Sequence, residues 1–367
     1  MRILMTADAV GGVWQYATDL AAALTPHGAQ TVLAVLGPEP SPAQRAEAEA
    51  IRGLELVETG LPLDWMCDSA APVRAAGKAV AALAREKHVD LVHLNSPALG
   101  ADTWFGLPVV AVNHGCLSTW WEAARSEPLA PNYRWHRALM RRGLTSADIT
   151  VAPSAAYAAT IARHYRLPDT PVVVHNGRRP LPLPPQSGEA PADFAFTAGR
   201  LWDDVKNART LDRAAALLTV PLRAAGSTRG PHGEEPSLEH LDRMGRIDTA
   251  ELAGTLAQRP IFVSAATFEP FGLAVLEAAA AGCPLVLSDI PTFRELWDGA
   301  ARFVAPHDAA GFAESIKALR DDPLARRQLG QAARKRSAQY TPAAMAAGMA
   351  RLYSGFLPDE GQGRAAA

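Results

Sequence analysis

The sequence has few of the residues on which several protein classes depend. Its 367 residues include three cysteines, Cys67, Cys116 and Cys283, which is too few for a disulfide scaffold and gives no zinc-ligand spacing. Lysine plus arginine (36) nearly balances aspartate plus glutamate (38), so no overall basic field exists to bind a nucleic acid. No apolar run reaches the ~18 residues of a membrane span, and the first residues do not form a signal peptide. We therefore expect a cytoplasmic protein that does not bind nucleic acid.

Several catalytic motifs are also missing. The sequence contains no D-x-D pair of carboxylates, no G-x-S-x-G elbow and no P-loop. The dinucleotide fingerprint G-x-G-x-x-G does not follow the first predicted strand. We therefore predict no metal site and no bound cofactor.

Short apolar runs alternate with longer helical patterns along the whole chain. Continuous apolar runs are typical of parallel strands buried on both faces, and their alternation with helices predicts doubly wound α/β layers. The predicted strands are Arg2–Met5, Thr31–Leu36, Leu91–Leu94, Pro108–Val112, Ile149–Ala152, Pro171–His175, Phe194–Ala198, Pro221–Ala225, Pro260–Val263, Pro284–Leu287 and Arg302–Val304. The predicted helices are Val13–Leu24, Ala70–Lys87, Trp135–Gly143, Ala155–Tyr165, Asn207–Leu217, Thr249–Gln258, Leu273–Ala281, Ala309–Leu319, Leu324–Gln339 and Pro342–Phe356.

A proline-rich segment interrupts this alternation. Five prolines lie within residues 178–193, and proline neither continues a helix nor fits a central strand. We interpret the segment as a linker between two α/β halves with a ligand cleft between them. The predicted divisions are an N-terminal domain (1–177), the linker (178–193), a C-terminal domain (194–340), a final helix (341–356) and a tail (357–367).

The first candidate binding residues are Gly11 and Gly12, between the first strand and the first helix. Two glycines there let the backbone approach a ligand, and the helix N-terminus behind them offers free N–H groups to a phosphate. The alternative is a tight strand-to-helix turn without a ligand.

A second candidate site, Gly199–Asn207, also follows a strand. It carries Arg200 and Lys206, whose charges can converge on one anion. The chain has only five lysines, which favours a specific role for this one. The alternative is a solvated pair with Asp203 or Asp204.

The third candidate site places two carboxylates, Glu269 and Glu277, around a helix N-terminus. The backbone N–H groups of Phe271, Gly272 and Leu273 can bind an anion or sugar hydroxyls there. The carboxylates are good acceptors for hydroxyl donors. An acidic pair that only stabilises the helix dipole is the alternative, and it explains Glu277 poorly because the surrounding run is apolar.

A fourth group follows a strand of the first half. His114, beside Asn113, is placed to meet a substrate hydroxyl, although a lone histidine is more often structural. The residues predicted to form an acceptor wall are Trp14, Asn113, Trp120, Trp121 and Glu122, and for the aromatic side chains the alternative is core packing. The arginines within residues 134–142 predict at most weak contact with anionic lipid, the alternative being a solvated helix face.

Taken together, these motifs resemble the retaining GT-B glycosyltransferases of family four. The resemblance rests on Gly11-Gly12, the Gly199-Arg200…Lys206-Asn207 loop, the E-x7-E segment and His175-Asn176-Gly177. It extends over about residues 1–356 and is strongest from 196 to 304. It implies a GT-B fold of two Rossmann-like domains and transfer of a sugar from a nucleoside-diphosphate sugar, without a metal ion.

The resemblance also implies residue roles. Arg200 and Lys206 would bind the donor diphosphate, with the N–H of Gly12 on its other side. Glu277 would bind the ribose hydroxyls. The backbone near Ile247 would contact the base.

In the same family, Glu269 and the N–H groups of Phe271 and Gly272 would hold the transferred sugar. His114 would lie near its reacting carbon. The final helix would return to the first domain.

The sequence departs from the family pattern directly after Asn176-Gly177. Arg178 follows Gly177, where the family often has an acidic residue. The acceptor stays open between a lipid, a metabolite and a glycan. Two other functions are weighed against transfer: a nucleotide-sugar epimerase or another GT-B enzyme, and a non-catalytic sugar-binding protein.

Overall fold

The protein is described from a computed structural model, which covers residues 1–184, 192–230, 233 and 235–356. Most of the second half of the predicted linker and the predicted tail (357–367) lie outside these residues.

The described chain alternates strands and helices throughout. The strands are β1 (Arg2–Asp8), β2 (Gln30–Leu36), β3 (Leu54–Glu58), β4 (Leu91–Leu94), β5 (Val109–Val112), β6 (Ile149–Ala152), β7 (Val172–Val173), β8 (Ala195–Ala198), β9 (Leu222–Ala225), β10 (Asp242–Gly245), β11 (Ile261–Ser264), β12 (Leu285–Ser288) and β13 (Arg302–Val304). The helices are α1 (Gly12–Leu24), α2 (Pro42–Glu49), α3 (Ala70–Glu86), α4 (Leu117–Ala124), α5 (Arg134–Ser146), α6 (Ala155–Tyr165), α7 (Ala208–Ala215), α8 (Thr249–Ala257), α9 (Leu273–Ala280), α10 (Pro291–Trp297), α11 (Ala309–Asp321), α12 (Pro323–Ser337) and α13 (Pro342–Ser354).

The strands form two separate sheets, and every pairing is parallel. The first sheet has seven strands in the order β3-β2-β1-β4-β5-β6-β7, and the second has six in the order β10-β9-β8-β11-β12-β13. In each sheet the strand order reverses beside the first strand, at β1/β4 and at β8/β11, as in doubly wound folds. The predicted fold class is confirmed.

Two strands were not predicted, and both lie on the outer side of a sheet. β3 reads Leu-Glu-Leu-Val-Glu and β10 reads Asp-Arg-Met-Gly, and both are partly exposed. An edge strand has one neighbour and tolerates polar residues, so it lacks the continuous apolar run by which the inner strands were found. The helices α2, α4 and α10 were also not predicted.

The chain crosses between the sheets twice, at neighbouring points. A Cβ on Gly177 would lie 2.2 Å from the carbonyl oxygen of Thr341, so only glycine fits there. The amide of Arg178 donates to the carbonyl of Tyr340 at 3.3 Å. The two crossings are therefore held together by direct backbone contact.

Helix α13 follows the second crossing and packs on α1, against the first sheet. Its residues Met345, Met349 and Tyr353 belong to the same buried cluster as Trp14 and Tyr16. The Tyr353 hydroxyl hydrogen-bonds Nδ1 of His93 on β4 at 2.6 Å. The predicted domain boundaries stay predictions.

Among the described residues, no helix has both the length and the apolar composition needed to cross a bilayer.

Acid should loosen this attachment. Burial lowers the pKa of His93 to about 4, whereas an unfolded histidine titrates near pH 6.5. The unfolded state therefore binds more protons as the pH falls through this interval, and stability is lost. We expect His93 to contribute a loss of about 2 kcal/mol between pH 7 and pH 5. Urea unfolding at the two pH values measures it.

The variant His93→Gln should show a smaller loss over the same interval. His27→Gln, at an exposed position, is the control and should behave as the wild type. Equal pH dependence in all three proteins would contradict the assignment.

Candidate active site

The predicted site residues lie in the loops after the carboxyl ends of the strands. The loops after β1 and β5 carry Gly11, Gly12 and His114, and those after β8 and β11 carry Arg200 and Glu269. Open parallel sheets bind ligands at this end, beside the point where the strand order reverses. The two switch points face each other across one cleft.

The N-terminus of α1 forms the first wall of the cleft. The Asp8 carboxylate accepts hydrogen bonds from the amides of Val10 and Gly11 at 2.9 and 3.2 Å and so shapes the loop. Burial raises the pKa of Asp8. No side chain caps the helix at Gly11, so its first N–H groups are available to a ligand.

The N-terminus of α9 forms the opposite wall. Gly272 has a φ of 95°, in the left-handed region, and no side chain caps the helix there. The two helix starts approach so closely that a Cβ on Gly12 would lie 3.2 Å from Leu273 Cδ1. Two positively polarised helix ends therefore meet at one place, which suits an anion.

Both predicted cations are paired with carboxylates. Arg200 donates to Asp203 at 2.8 Å. Its guanidinium also lies near Asp8, where its charge partly opposes the burial that raises the pKa of that carboxyl. A Cβ on Gly11 would lie 3.7 Å from Arg200 Nη1. Lys206 donates to Glu269 at 2.5 Å. The second sheet thus supplies cations to the N-terminus of α1, with carboxylates holding them in place.

His114 is held neutral. Burial lowers the pKa of His114 to about 3, and nearby His93 adds to this. Its Nε2 lies 2.9 Å from Oδ1 of Asn95, which also hydrogen-bonds His93 at 2.9 Å. With the amide oxygen as acceptor, Nε2 carries the proton and Nδ1 is left able to accept a hydrogen bond.

Glu277 lies one turn inside α9 and is mostly buried. Arg178 donates to it at 2.8 Å from the crossing between the sheets. Burial raises the pKa of Glu277, and Arg178 opposes that effect.

The predicted acceptor wall is only partly assembled. Trp14 is fully buried (0% exposed) and donates to Glu47, so it has no free face for a ligand. Asn113 is buried beneath the loop, where its oxygen accepts from Gly115 and Tyr157. Glu122 pairs with His164 at 2.6 Å on the surface.

The two adjacent tryptophans of α4 differ. Trp121 donates to the Glu127 carbonyl within the first half of the chain. Trp120 crosses the cleft and donates to Asp203 at 2.8 Å. Arg125 crosses beside it, to Asp204 at 2.7 Å. Helix α4 therefore contacts the loop that carries the two cations.

An open pocket of about 390 Å³ lies beside Ile247, at the ends of β9 and β10. It is lined by Gly226, Ser227, Thr228, Arg229, Arg243, Gly245 and Arg246. The side chain of Ile247 packs into the core of the second sheet, so only its backbone can face this pocket.

Three residues of the site were not predicted: Asn95, Asp203 and Arg178. Asp203 was considered only as a solvated partner, yet it is 3% exposed and binds both Arg200 and Trp120. Asn95 follows β4 at the switch point, a position that could have revealed it. For Arg178 the sequence shows only a departure from a family pattern and gives no role.

No group of three or more His, Cys, Asp or Glu side chains that could hold a metal ion occurs within the part of the chain that the structure describes. The prediction of a metal-free site stays a prediction.

Comparison with known families matches both halves of the chain. Residues 10–180 match Glycosyltransferase Family 4, and residues 235–336 match Glycosyl transferases group 1. The first segment carries Gly11, Gly12 and His114, and the second carries both glutamates of the E-x7-E segment.

The chain is also similar to individual proteins. The chain is 41% identical over 95 residues to a glycogen synthase of Mycobacterium tuberculosis, a match that covers 25% of this chain and only 23% of that relative. It is 26% identical over 313 residues to a D-inositol 3-phosphate glycosyltransferase of Streptomyces scabiei, covering 75% of this chain and 70% of the relative. The structure of Anabaena HepE in complex with UDP matches 97% of this chain and 100% of its own, with a TM-score of 0.70 and 18% identity.

The contacts of α4 across the cleft should hold the two halves together. Removing both, in Trp120→Phe/Arg125→Met, eliminates the Trp120–Asp203 hydrogen bond, worth about 1.5–3 kcal/mol, and the exposed Arg125–Asp204 pair, worth at most ~1 kcal/mol. We expect a larger radius of gyration in small-angle X-ray scattering. Trp121→Phe, which loses a bond within one half, is the matched control. An unchanged radius in the double variant would show that α4 does not hold the cleft closed.

Proposed function

The chain belongs to the glycosyltransferases, with a family 4 segment followed by a group 1 segment on a GT-B fold, and on this premise we propose that it transfers a sugar from a nucleoside-diphosphate sugar to an acceptor hydroxyl, with retention and without a metal ion. The observation that carries the proposal is the meeting of two uncapped helix N-termini, at Gly11 and Gly272, beside Arg200 and Lys206.

The diphosphate would bind where these groups converge. Arg200 can grip phosphate oxygens with two N–H groups, and Lys206 adds a point charge. Both cations are paired with carboxylates, so the donor phosphates would replace Asp203 and Glu269 as their partners. Preplaced charge of this kind stabilises the negative charge that develops on a leaving group.

The reaction breaks the bond between the anomeric carbon and the diphosphate oxygen. The acceptor oxygen bonds to the same face of that carbon, and the acceptor proton passes to the departing phosphate. Arg200 and Lys206 replace a metal ion as the acceptors of the charge released. The chain itself then needs no general base.

The transferred sugar would lie between Glu269 and the start of α9. Glu269 can accept from its hydroxyls, and the N–H groups of Phe271 and Gly272 can donate to them. His114, neutral at physiological pH, would accept a hydrogen bond from a sugar hydroxyl at Nδ1. It would not serve as an acid, because its pKa lies near 3.

The nucleoside would extend past Glu277, whose carboxylate would take the ribose hydroxyls, toward the open pocket beside Ile247. HepE, which has the same fold, is described with UDP bound. The relatives above are named for glycogen and for D-inositol 3-phosphate, a polymer and a small polyol phosphate. A metabolite, a lipid and a glycan therefore stay open as acceptors.

Thermal unfolding with UDP, GDP and ADP in the presence of EDTA tests the donor site. A ligand at a hundred times its dissociation constant stabilises the folded state by ~2.7 kcal/mol. We expect one nucleotide to raise the melting temperature clearly, with or without EDTA. A response lost in EDTA would contradict metal independence, and no response to any nucleotide would overturn the proposed donor class.

Lys206→Met should reduce kcat by roughly 10²–10³-fold, the usual cost of losing a charge-stabilising donor. The loss of kcat should far exceed the loss of stability, because both side chains keep some contact with solvent and water can replace part of their pairing. Lys335→Met, at an exposed position of α12, is the control. Consumption of the nucleotide sugar measured without an acceptor separates the two activities, because an epimerase needs no acceptor and a transferase does. Full activity of Lys206→Met would exclude the leaving-group role.

A further inference from the structure

We propose that Arg178 is a positioning residue of the donor site: it holds one oxygen of Glu277 so that the other accepts from the ribose hydroxyls. The inference rests on the proposed function and concerns a residue at which this chain departs from the family pattern. Arg178 would set the preference of the site for nucleotides that carry those hydroxyls.

The geometry fixes the guanidinium between two carboxylates. Arg178 Nε donates to Glu277 Oε1 at 2.8 Å, and Nη1 donates to Asp19 Oδ2 at 2.9 Å. The side chains of Arg178 and Glu277 are 13% exposed, and that of Asp19 is 0% exposed. Among the described residues, Oε1 is the only oxygen of Glu277 that receives a hydrogen bond, which leaves Oε2 for a ligand.

A second arginine keeps Arg178 available to Glu277. Arg179 binds the other oxygen of Asp19 through its Nε and binds Glu47 at 2.7 Å. Asp19 thereby has a cation of its own. Without Arg179, the single Arg178 would serve two buried carboxylates, and an ion pair in such surroundings requires matched charges.

Glu277 needs this partner because it is buried. Burial raises its pKa, Asp19 raises it further, and Arg178 lowers it. An ionised carboxylate accepts hydrogen bonds at both oxygens, whereas protonation turns one of them into a donor and reduces that capacity. Removing Arg178 would leave a mostly buried carboxyl beside Asp19 with no cation, which favours its protonated form.

The backbone puts Arg178 at this place. Gly177 passes so close to Thr341 that no side chain fits, and the Arg178 amide is bonded to Tyr340. The next side chain is therefore directed from the crossing toward both α1 and α9. Through Asp19 and Glu277, Arg178 joins the two helices whose N-termini would bind the diphosphate.

The test compares binding of UDP, GDP and ADP with that of their 2′,3′-dideoxy forms, by calorimetry. Because hydrogen bonds to a charged group are strong, the wild type should bind the preferred ribonucleotide roughly 10–100-fold more tightly than its dideoxy form. Arg178→Met should reduce this ratio to below about three-fold while leaving the dideoxy affinity nearly unchanged. Arg351→Met, at an exposed position of α13, is the control and should keep the ratio, because Arg351 pairs with neither Glu277 nor Asp19.

Two further variants show whether Arg178 acts through Glu277. In the Glu277→Gln protein, adding Arg178→Met should cause no further loss of the ratio, because the carboxylate on which it acts is gone. Arg178→Lys keeps the positive charge but loses the planar guanidinium, whose N–H groups reach both carboxylates, and should give an intermediate ratio. It serves the comparison if Arg178→Met does not fold.

Two results would overturn the inference. These are an unchanged ratio in Arg178→Met, including an equal loss of affinity for both nucleotide forms, and a further loss of the ratio in the Glu277→Gln background. A wild type that binds a nucleotide but ignores the hydroxyls would remove the ribose role of Glu277 and leave the donor site standing. A wild type that binds no nucleotide would instead overturn the proposed function itself.

Discussion

The arrangement of the two sheets depends on a backbone contact where the chain crosses between them. Gly177 lies against Thr341 with no room for a side chain, so the outgoing and returning segments are fixed to each other. Other contacts close the sides of the interface. Glu295 of α10 accepts from the amides of Ala155 and Ala156 at the start of α6, at 2.8 and 2.7 Å. With one crossing fixed and α6 capped by the opposite half, the two switch points are directed at one cleft.

The charged groups of the cleft balance one another within the protein. Arg200 is paired with Asp203, Lys206 with Glu269, and Arg178 with Glu277. Unpaired charges in partly buried positions are costly, so these pairs stabilise the cleft. Each pair also presents one cation and one hydroxyl acceptor. That combination suits a ligand with phosphates in its middle and polyols at both ends, because every part of such a ligand finds its complement.

Most of the fold could be predicted because inner parallel strands are apolar throughout and glycines mark their ends. The inner strands β4 and β6 begin and end where predicted. The edge strands β3 and β10 could not be predicted in this way, because an edge position does not require an apolar run. In the site, the residue types were predictable from local motifs, but their partners were not. Arg178 and Glu277 are 99 positions apart, and their pairing follows from irregular backbone at the crossing. The burial of Trp14 followed from packing against α13, which joins from the far end of the chain.

The bond between Tyr353 and His93 has a consequence for the order of folding during synthesis. All seven strands of the first sheet leave the ribosome before the second sheet begins, but the tyrosine that satisfies His93 is made after the second sheet. Domains generally fold as units, N-terminal first, yet this one stays without its covering helix until the second is nearly complete. A nascent chain would expose the apolar flank of α1 throughout that interval. Helix α13 therefore covers the apolar flank of the first half only after the second half has been made.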